Sequence, residues 1–456
     1  MAVVVRGQAT MPDTPDTRGE DAPMSDLPRL TTAQAAGRLG VKPATLYAYV
    51  SRGLIASIRS ETGGSTFDAL DVEELAESMR RPAQRAQPTR PAQPAGEREA
   101  PHQRLARAAS ARSGRPLMVL DSELTLIEND ELFYRGRRAT DLVAHGPAER
   151  VMEFFLASTQ TAAFTAPDDV VRRARAAGDL LGSPQRMIDR LALTVTLAGS
   201  LDPLRDDLDP EVVFSAGRRL IGAMVDALPP AGGAPPVTGA AGHPHASLAE
   251  RLWPKLSARP AMGGDLAMLD AALILCIDHD LAVATLAARV AASARAHPYA
   301  AVSAALGAFD SSLHGSMSVT AAEMLREAMG PGGIERAVAR HVSAGRGIPG
   351  FGHSVYRSRD PRFVCLMLRM HGEPRYSDAV RTTERLVAIV NARVARPANL
   401  DLALATFVAA ADLVPDAGHI IFAIARTAGW LAHVVAEYSE PPLRLRPESH
   451  YTGLTM

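Results

Sequence analysis

The tightest constraint on this chain is the run Gly347-Ile348-Pro349-Gly350-Phe351-Gly352-His353-Ser354-Val355-Tyr356-Arg357-Ser358-Arg359-Asp360-Pro361-Arg362. Three glycines and a proline within six residues cannot continue a helix, so His353 must sit on a tight turn or loop. Pro361 fixes the backbone again and keeps Asp360 out of the helical region. One imidazole and three guanidiniums on a constrained turn suit a small, multiply charged anion. A solvated basic surface loop has the same spacing, so the pattern alone leaves both readings open.

Around this turn the chain reads as helical. Apolar periodicity predicts helices over roughly 147–158, 168–181, 185–199, 210–228, 265–276 and 280–296. Further on, Asp401 precedes an apolar helix, and Arg426 lies in another that is apolar almost all round. Residues 119–134 alternate and carry a turn at Glu128-Asn129-Asp130, which predicts short strands or a hairpin. Proline and glycine break the pattern over 229–248, a surface loop. Hydrophobic residues make up 47% of the chain but aromatics only 5%, so Ala, Leu and Val must fill the core.

The formal net charge of −1 gives the whole chain no preference for a polyanionic partner. No run approaches the roughly 18 uninterrupted apolar residues of a membrane span, and the first residues lack a signal-peptide core. Cys276 and Cys365 form no Cys-x-x-Cys pair, which fits a reducing, cytoplasmic setting. No glycine-rich phosphate loop calls for a dinucleotide or ATP. His279, His314 and His353 are 35 and 39 residues apart, unlike a metal-ligand spacing, so no metal is expected.

The N-terminal part reads as separate units. Residues 1–24 read as a disordered leader, with Met24 an alternative start. In 25–80, Thr31 or Thr32 caps a short helix, Gly40 ends it, and Pro43 opens a second. Residues 58–67 and the segment from Asp71 follow as a wing and a further helix. Residues 81–113 are a Pro- and Arg-rich linker; from Arg80 to Arg115 nine arginines and two glutamates give 9 − 2 = +7. That charge suits either a solvated tether or salt-sensitive phosphate contact.

The unit over 25–80 resembles the winged helix-turn-helix of MerR- and excisionase-type DNA-binding domains. The resemblance implies that Lys42, Thr45, Tyr47 and Arg52 face duplex DNA. A helical hairpin used for protein contacts is the alternative.

Residues 114–456 resemble the citrate synthase family. Gly350-Phe351-Gly352-His353-Ser354-Val355-Tyr356-Arg357-Ser358-Arg359-Asp360-Pro361-Arg362 fills every position of the pattern G-[FY]-G-H-x-V-x-[KR]-x-x-D-P-R. Ser312-Leu313-His314-Gly315 is similar to P-L-H-G, Asn399-Leu400-Asp401 to N-V-D, Asp278-His279-Asp280 to D-H-E, and Tyr134-Arg135-Gly136 to Y-R-G. The resemblance implies a mainly α fold of a large and a small helical domain, the small one spanning roughly 316–411, in a homodimer. It implies condensation of acetyl-CoA with oxaloacetate to citrate and CoA. The acyl-CoA is a substrate, and no cofactor is implied. Two alternatives stay open: propionyl-CoA as donor, giving 2-methylcitrate, and a DNA-binding regulator that senses a metabolite in the same pocket.

By the same resemblance Asp401 is the base, His314 the donor to the thioester oxygen and His353 the donor to the ketone oxygen. His279, Arg362, Arg426 and Arg446 hold the oxo acid, and Arg357 meets CoA phosphates. Arg446 is expected to serve a neighbouring subunit. From the residues alone, Asp401 has a second reading as a helix N-cap, and His314 as a core histidine. A helix N-terminus would lower the pKa of Asp401 while burial would raise it, and sequence leaves that balance open. Two departures fall on the acyl-CoA side. Ser316-Met317-Ser318 replaces the usual G-A-N, and no Ser-Gly pair follows Asp401.

Overall fold

The apolar stretch near the C-terminus becomes the post around which the body is built. In a computed structural model, which describes residues 29–60, 63–80, 119–160, 162–182, 186–233, 246–345, 347–394 and 396–453, it forms one helix, Ala417–Tyr438. By length and composition this helix could cross a membrane, but 89% of its most apolar window is buried against other helices. His419, Arg426 and His433 interrupt the apolar run, which is why counting uninterrupted residues passes over it. The expected leader (1–24), the linker (81–113) and the larger part of the 229–248 loop lie outside the described residues.

In chain order the helices are α1 (Thr32–Leu39), α2 (Pro43–Ser51), α3 (Ala69–Arg80), α4 (Ala139–Leu142), α5 (Ala148–Leu156), α6 (Asp168–Gly178), α7 (Met187–Leu201), α8 (Pro210–Asp226) and α9 (Leu248–Leu256). There follow α10 (Asp265–Cys276), α11 (Val283–Ser293), α12 (Pro298–Phe309), α13 (Met317–Met329), α14 (Gly333–Ser343), α15 (Pro361–His371), α16 (Ser377–Asn391), α17 (Leu400–Ala410) and α18 (Ala417–Tyr438). Helix α18 packs on α5, α7, α8, α10, α11, α12, α13 and α17, and nearly all of its residues are buried. Helix α11 is shorter than the expected 280–296. Asp280 and Arg295 take left-handed φ values of 54° and 60°, and neither end can extend the helix.

The expected hairpin is present. Strands β4 (Thr125–Glu128) and β5 (Glu131–Tyr134) pair antiparallel across Asn129 and Asp130, both at positive φ, and β6 (Arg137–Arg138) adds a third strand beside β5. In the N-terminal unit Thr31 forms a capping box with Gln34, Gly40 closes α1 at φ 66°, and Pro43 opens α2. The wing segment supplies β2 (Ile58–Arg59) and β3 (Ser65–Phe67). Strand β1 (Leu30–Thr31) completes a small sheet in the order β1-β3-β2. Leu30, Ala35, Leu46, Phe67 and Val72 fill its core. This unit does not stand apart: α1 and α3 pack on α14.

Candidate active site

Helix α18 turns three side-chain positions toward one segment, Cys276–Asp280. Arg426 donates from Nε to the Cys276 carbonyl at 2.8 Å. Its Nη1 and Nη2 are buried and have no hydrogen-bond partner among the described residues. Burial lowers the pKa of this guanidinium, and a buried cation with two unused donors is suited to receive an anion. Gly429 lets the segment approach, since a Cβ there would lie 2.1 Å from the Ile277 carbonyl oxygen. His433 then stands 3.3 Å from Asp278, whose carboxylate also accepts from the Thr125 hydroxyl at 2.6 Å. Burial works against an ionised Asp278, yet His433, Arg426 and Thr125 together hold its carboxyl below the usual range. Tyr134 of the hairpin donates to the Asp278 carbonyl at 3.1 Å. His279 is thereby delivered to the site.

Opposite it stands the glycine turn. Gly350 and Gly352 adopt φ of 83° and 87°, which L side chains rarely take. His353, His279 and Tyr356 form a ring cluster, with His279 and His353 centroids 4.8 Å apart and His279 Nε2 3.0 Å from the Tyr356 hydroxyl. Burial, with Arg362 and His353 nearby, keeps the His279 pKa well below its ordinary value. Burial and Arg362 push His353 down to about 4. Its Nδ1 accepts the Val355 N–H at 3.1 Å, so the neutral ring carries its proton on Nε2 and can donate from there.

Asp360 joins two helix starts. It accepts from the Arg362 backbone at 3.0 Å and from the Leu400 N–H at 3.0 Å, tying α15 to α17. It also holds the Arg362 side chain through Nε at 3.0 Å and Nη2 at 2.8 Å. Asp360 thus occupies Nε and Nη2 of Arg362, and Nη1 has no hydrogen bond among the described residues. Asn399, not Asp401, is the N-cap of α17, accepting the Asp401 N–H at 3.0 Å. The Asp401 carboxylate has no hydrogen bond among the described residues. Burial pushes its pKa up to about 7, with Arg362 opposing and Asp360 reinforcing the shift. Burial therefore wins the balance that sequence left open.

His314 sits on the turn before α13, edge-on to Phe309 at 5.3 Å and to Phe422 at 6.4 Å. Its Nε2 is buried without a hydrogen-bond partner among the described residues, and burial with Arg426 nearby lowers its pKa to about 4. His279, His314, His353, Arg362, Arg426 and Asp401 thus form one neighbourhood. Arg446 does not join it: the residue is exposed on the tail after α18. The Arg357 side chain is also exposed, while its backbone N–H is held by Asp130 at 2.6 Å. Asp130 additionally accepts from the Ser358 N–H at 2.9 Å and from the Ser358 hydroxyl, and these bonds hold its carboxyl down to about 2. Lys42, Thr45, Tyr47 and Arg52 lie exposed on and beside α2, far along the chain from the cluster.

Tyr356, Asp360, Asp130 and His433 are functional neighbours that sequence reasoning missed. Asp360 had a signal in its place before Pro361. Tyr356 and His433 had none, because nothing in the sequence ties them to His279 or Asp278. Among the described residues no group of three His, Cys, Asp or Glu side chains is placed to hold a metal ion.

A mainly helical body that buries neutral histidines, an arginine with unused donors and a carboxyl titrating near neutrality is built for acid–base chemistry on an anion. Comparison with known proteins gives the family. Residues 114–448 match the family model described as citrate synthase, C-terminal domain, and the chain belongs to the citrate synthase family, whose members are acyltransferases. It is 29% identical to citrate synthase 2 of Bacillus subtilis over 58% of this chain and 72% of that protein. It is 28% identical to 2-methylcitrate synthase 1 of Corynebacterium glutamicum over 42% of this chain and 50% of that one. With the citrate synthase of Haloferax volcanii, at 31% identity, the match again spans about half of the relative, 49%. The fold is similar to citrate synthase from Thermoplasma acidophilum, solved in a ternary complex with carboxymethyl coenzyme A and oxaloacetate. That likeness has a TM-score of 0.60 and 20% identity, and covers 75% of this chain and 95% of that one. Citrate synthase from Thermotoga maritima gives a TM-score of 0.60 at 22% identity with the same coverage.

Proposed function

We propose that the chain condenses a short acyl-CoA with oxaloacetate, acetyl-CoA giving citrate. The observation that carries this reading is Asp401, a carboxyl without hydrogen bonds among the described residues and raised to about 7 by burial. A general base works best when its pKa lies near the working pH. In the reaction Asp401 takes a proton from the carbon beside the thioester. Neutral His314 donates to the thioester oxygen as the enolate forms; a neutral donor supplies a hydrogen bond without the desolvation cost of a buried imidazolium. The enol carbon attacks the ketone carbon of the oxo acid, and His353 supplies its Nε2 proton to the ketone oxygen. Water then cleaves the thioester and releases CoA. Arg426 through its unused nitrogens, Arg362 through Nη1 and His279 hold the oxo acid, and Arg357 is assigned to CoA phosphate. Residues 316–411, roughly, would form the smaller domain that closes over both substrates. The departures at Ser316-Met317-Ser318 leave propionyl-CoA as the competing donor. CoA release by the purified protein with oxaloacetate and each acyl-CoA tests the reading; no release with either overturns it.

A second role is proposed for the N-terminal unit, duplex DNA binding, on the observation that its charges are segregated. Asp68, Asp71, Glu73 and Glu77 pair with Arg393 or Arg396 of the body, while Lys42 and Arg52, at the two ends of α2, and Arg59 of β2 are exposed. Four acidic groups are neutralised by docking, and the exposed charges around α2 are basic. Titrating the full chain against labelled duplex DNA should show binding that weakens steeply with salt and drops at least tenfold in Lys42→Ala/Arg52→Ala. No binding at low salt would favour a protein-contact role.

A further inference from the structure

The N-terminal unit does more than rest on the body. Helix α3, with the residue just ahead of it, brings acidic groups against the short segment between α16 and α17. Arg393 Nη1 stands 2.9 Å from Asp68 and 3.4 Å from Asp71. Arg396 Nε stands 2.9 Å from Glu77, its Nη2 meets the same carboxylate, and its Nη1 is 3.0 Å from Glu73. Glu73 is fully buried, and it is also held by Arg38 of α1 through Nε at 2.7 Å and Nη2 at 2.5 Å. One buried carboxylate therefore joins an arginine of the N-terminal unit to an arginine of the body. Removing one member of such a cluster leaves an uncompensated buried charge.

What these arginines touch gives the cluster its meaning. The Arg396 stem passes 3.5 Å from where a Cβ on Gly352 would stand, and the Arg38 guanidinium 3.0 Å from where one on Gly347 would stand. The two glycines bracket the turn that leads to His353. Immediately after Arg396, the Pro397 carbonyl accepts the Gly352 N–H at 2.8 Å, and the Asn399 N–H donates to the Gly350 carbonyl at 2.9 Å. Asn399 Nδ2 donates to the Gly352 carbonyl at 2.9 Å, and Asn399 Oδ1 caps the Asp401 N–H at 3.0 Å. The His353 turn and the Asp401 turn are thus laced to one another, and both are gripped by arginines whose counter-charges come from residues 68–77. The family match, residues 114–448, does not include those counter-charges.

We infer that the N-terminal unit is a working part of the catalytic centre, with Glu73 as a positioning residue that acts through Arg396 and Arg38 to fix His353 relative to Asp401. The kinetic consequence rests on the condensation reading above; the mechanical grip does not. In the full chain, Glu73→Gln keeps the shape of the side chain and removes its charge. Backbone amide exchange followed by mass spectrometry should then speed up at least tenfold in peptides covering 347–353 and 396–401, with α18 unchanged. Turnover in the CoA-release assay should fall about tenfold with little change in KM for oxaloacetate, because Arg426 and His279 are untouched. The double variant Glu73→Gln/Arg396→Met should lose clearly less than the two single losses combined, which two independent local destabilisations would not produce. Glu77→Gln, at the rim of the cluster, gives the same pattern in weaker form and decides the matter if Glu73→Gln does not fold. Faster exchange confined to residues 63–80, with both turns and turnover as in the unmodified chain, overturns the proposal. If the unmodified chain releases no CoA with any acyl-CoA, the condensation reading falls, and amide exchange alone still decides the grip.

Discussion

At Asp401 the helix terminus of α17 favours the carboxylate while burial favours the neutral acid, and the raised value of about 7 shows which prevails. The sign of the pH dependence follows. Turnover should fall below pH about 7 as Asp401 takes up its proton, with no further loss from His314 or His353 until their values near 4. A pH–rate profile of CoA release checks this. Asp401→Asn should lower turnover by roughly 100-fold or more, the scale of a lost general base. The same shift makes a stability prediction. Between the ordinary carboxyl value of 3.8 and about 7 the folded chain holds a proton that the unfolded chain has released. The contribution of Asp401 is therefore most favourable below the unfolded value and is lost as pH rises through the folded one. Thermal unfolding should find Asp401→Asn more stable than the unmodified chain at pH 8, the gap closing toward pH 4. An equal gap at both pH values would mean that Asp401 ionises normally.

At the scale of elements, α18 carries the site because it packs closely enough to aim a neighbouring segment. Gly429→Ala would drive a methyl group to 2.1 Å from the Ile277 carbonyl and 3.0 Å from Asp278. Overpacking of that kind costs about 1–3 kcal/mol. It should also displace His279, raising KM for oxaloacetate more than KM for the acyl-CoA; denaturant melts and steady-state kinetics read the two effects. None of this was legible before the structure, since nothing in the sequence says which backbone faces Gly429. Legible features were those whose cause is local: the helix cap at Thr31, the glycine turn before His353, the hairpin at Asn129-Asp130, and the place of Arg426 in an apolar helix. The unread ones depend on partners far away in the chain. The pairing of the Arg362 side chain with Asp360 is a short-range exception, since the spacing says only that Asp360 precedes a proline. The partners of the acidic residues of α3 cannot be read along the chain, because Arg393 and Arg396 lie more than 300 residues on.

For the whole molecule the question is whether one chain makes a complete site. Arg446 is exposed beyond Pro441 and Pro442, on a tail that cannot continue α18. The tail is nevertheless anchored. Arg444 binds Glu437 through two hydrogen bonds of 2.8 Å, and the Leu443 N–H donates to the Ser293 carbonyl at 2.8 Å, beside the end of α11. Along α11, Val283, Leu286 and Val290 are exposed at helical spacing, and Leu443, tied to Ser293 at the end of that helix, is exposed as well. An apolar stripe with an anchored, arginine-bearing tail beside it suits a two-fold contact with a second copy, in which each tail reaches the other chain's site. The proposal that Arg446 completes the oxo-acid site in trans can be decided by mixing two inactive proteins, Asp401→Ala and Arg446→Ala, after subunit exchange. If Arg446 acts in trans, each mixed dimer has one site with both lesions and one with neither, so activity returns on mixing. If Arg446 serves its own chain, every site in the mixed dimer keeps one lesion. A fully exchanged mixture that stays inactive would refute the shared site.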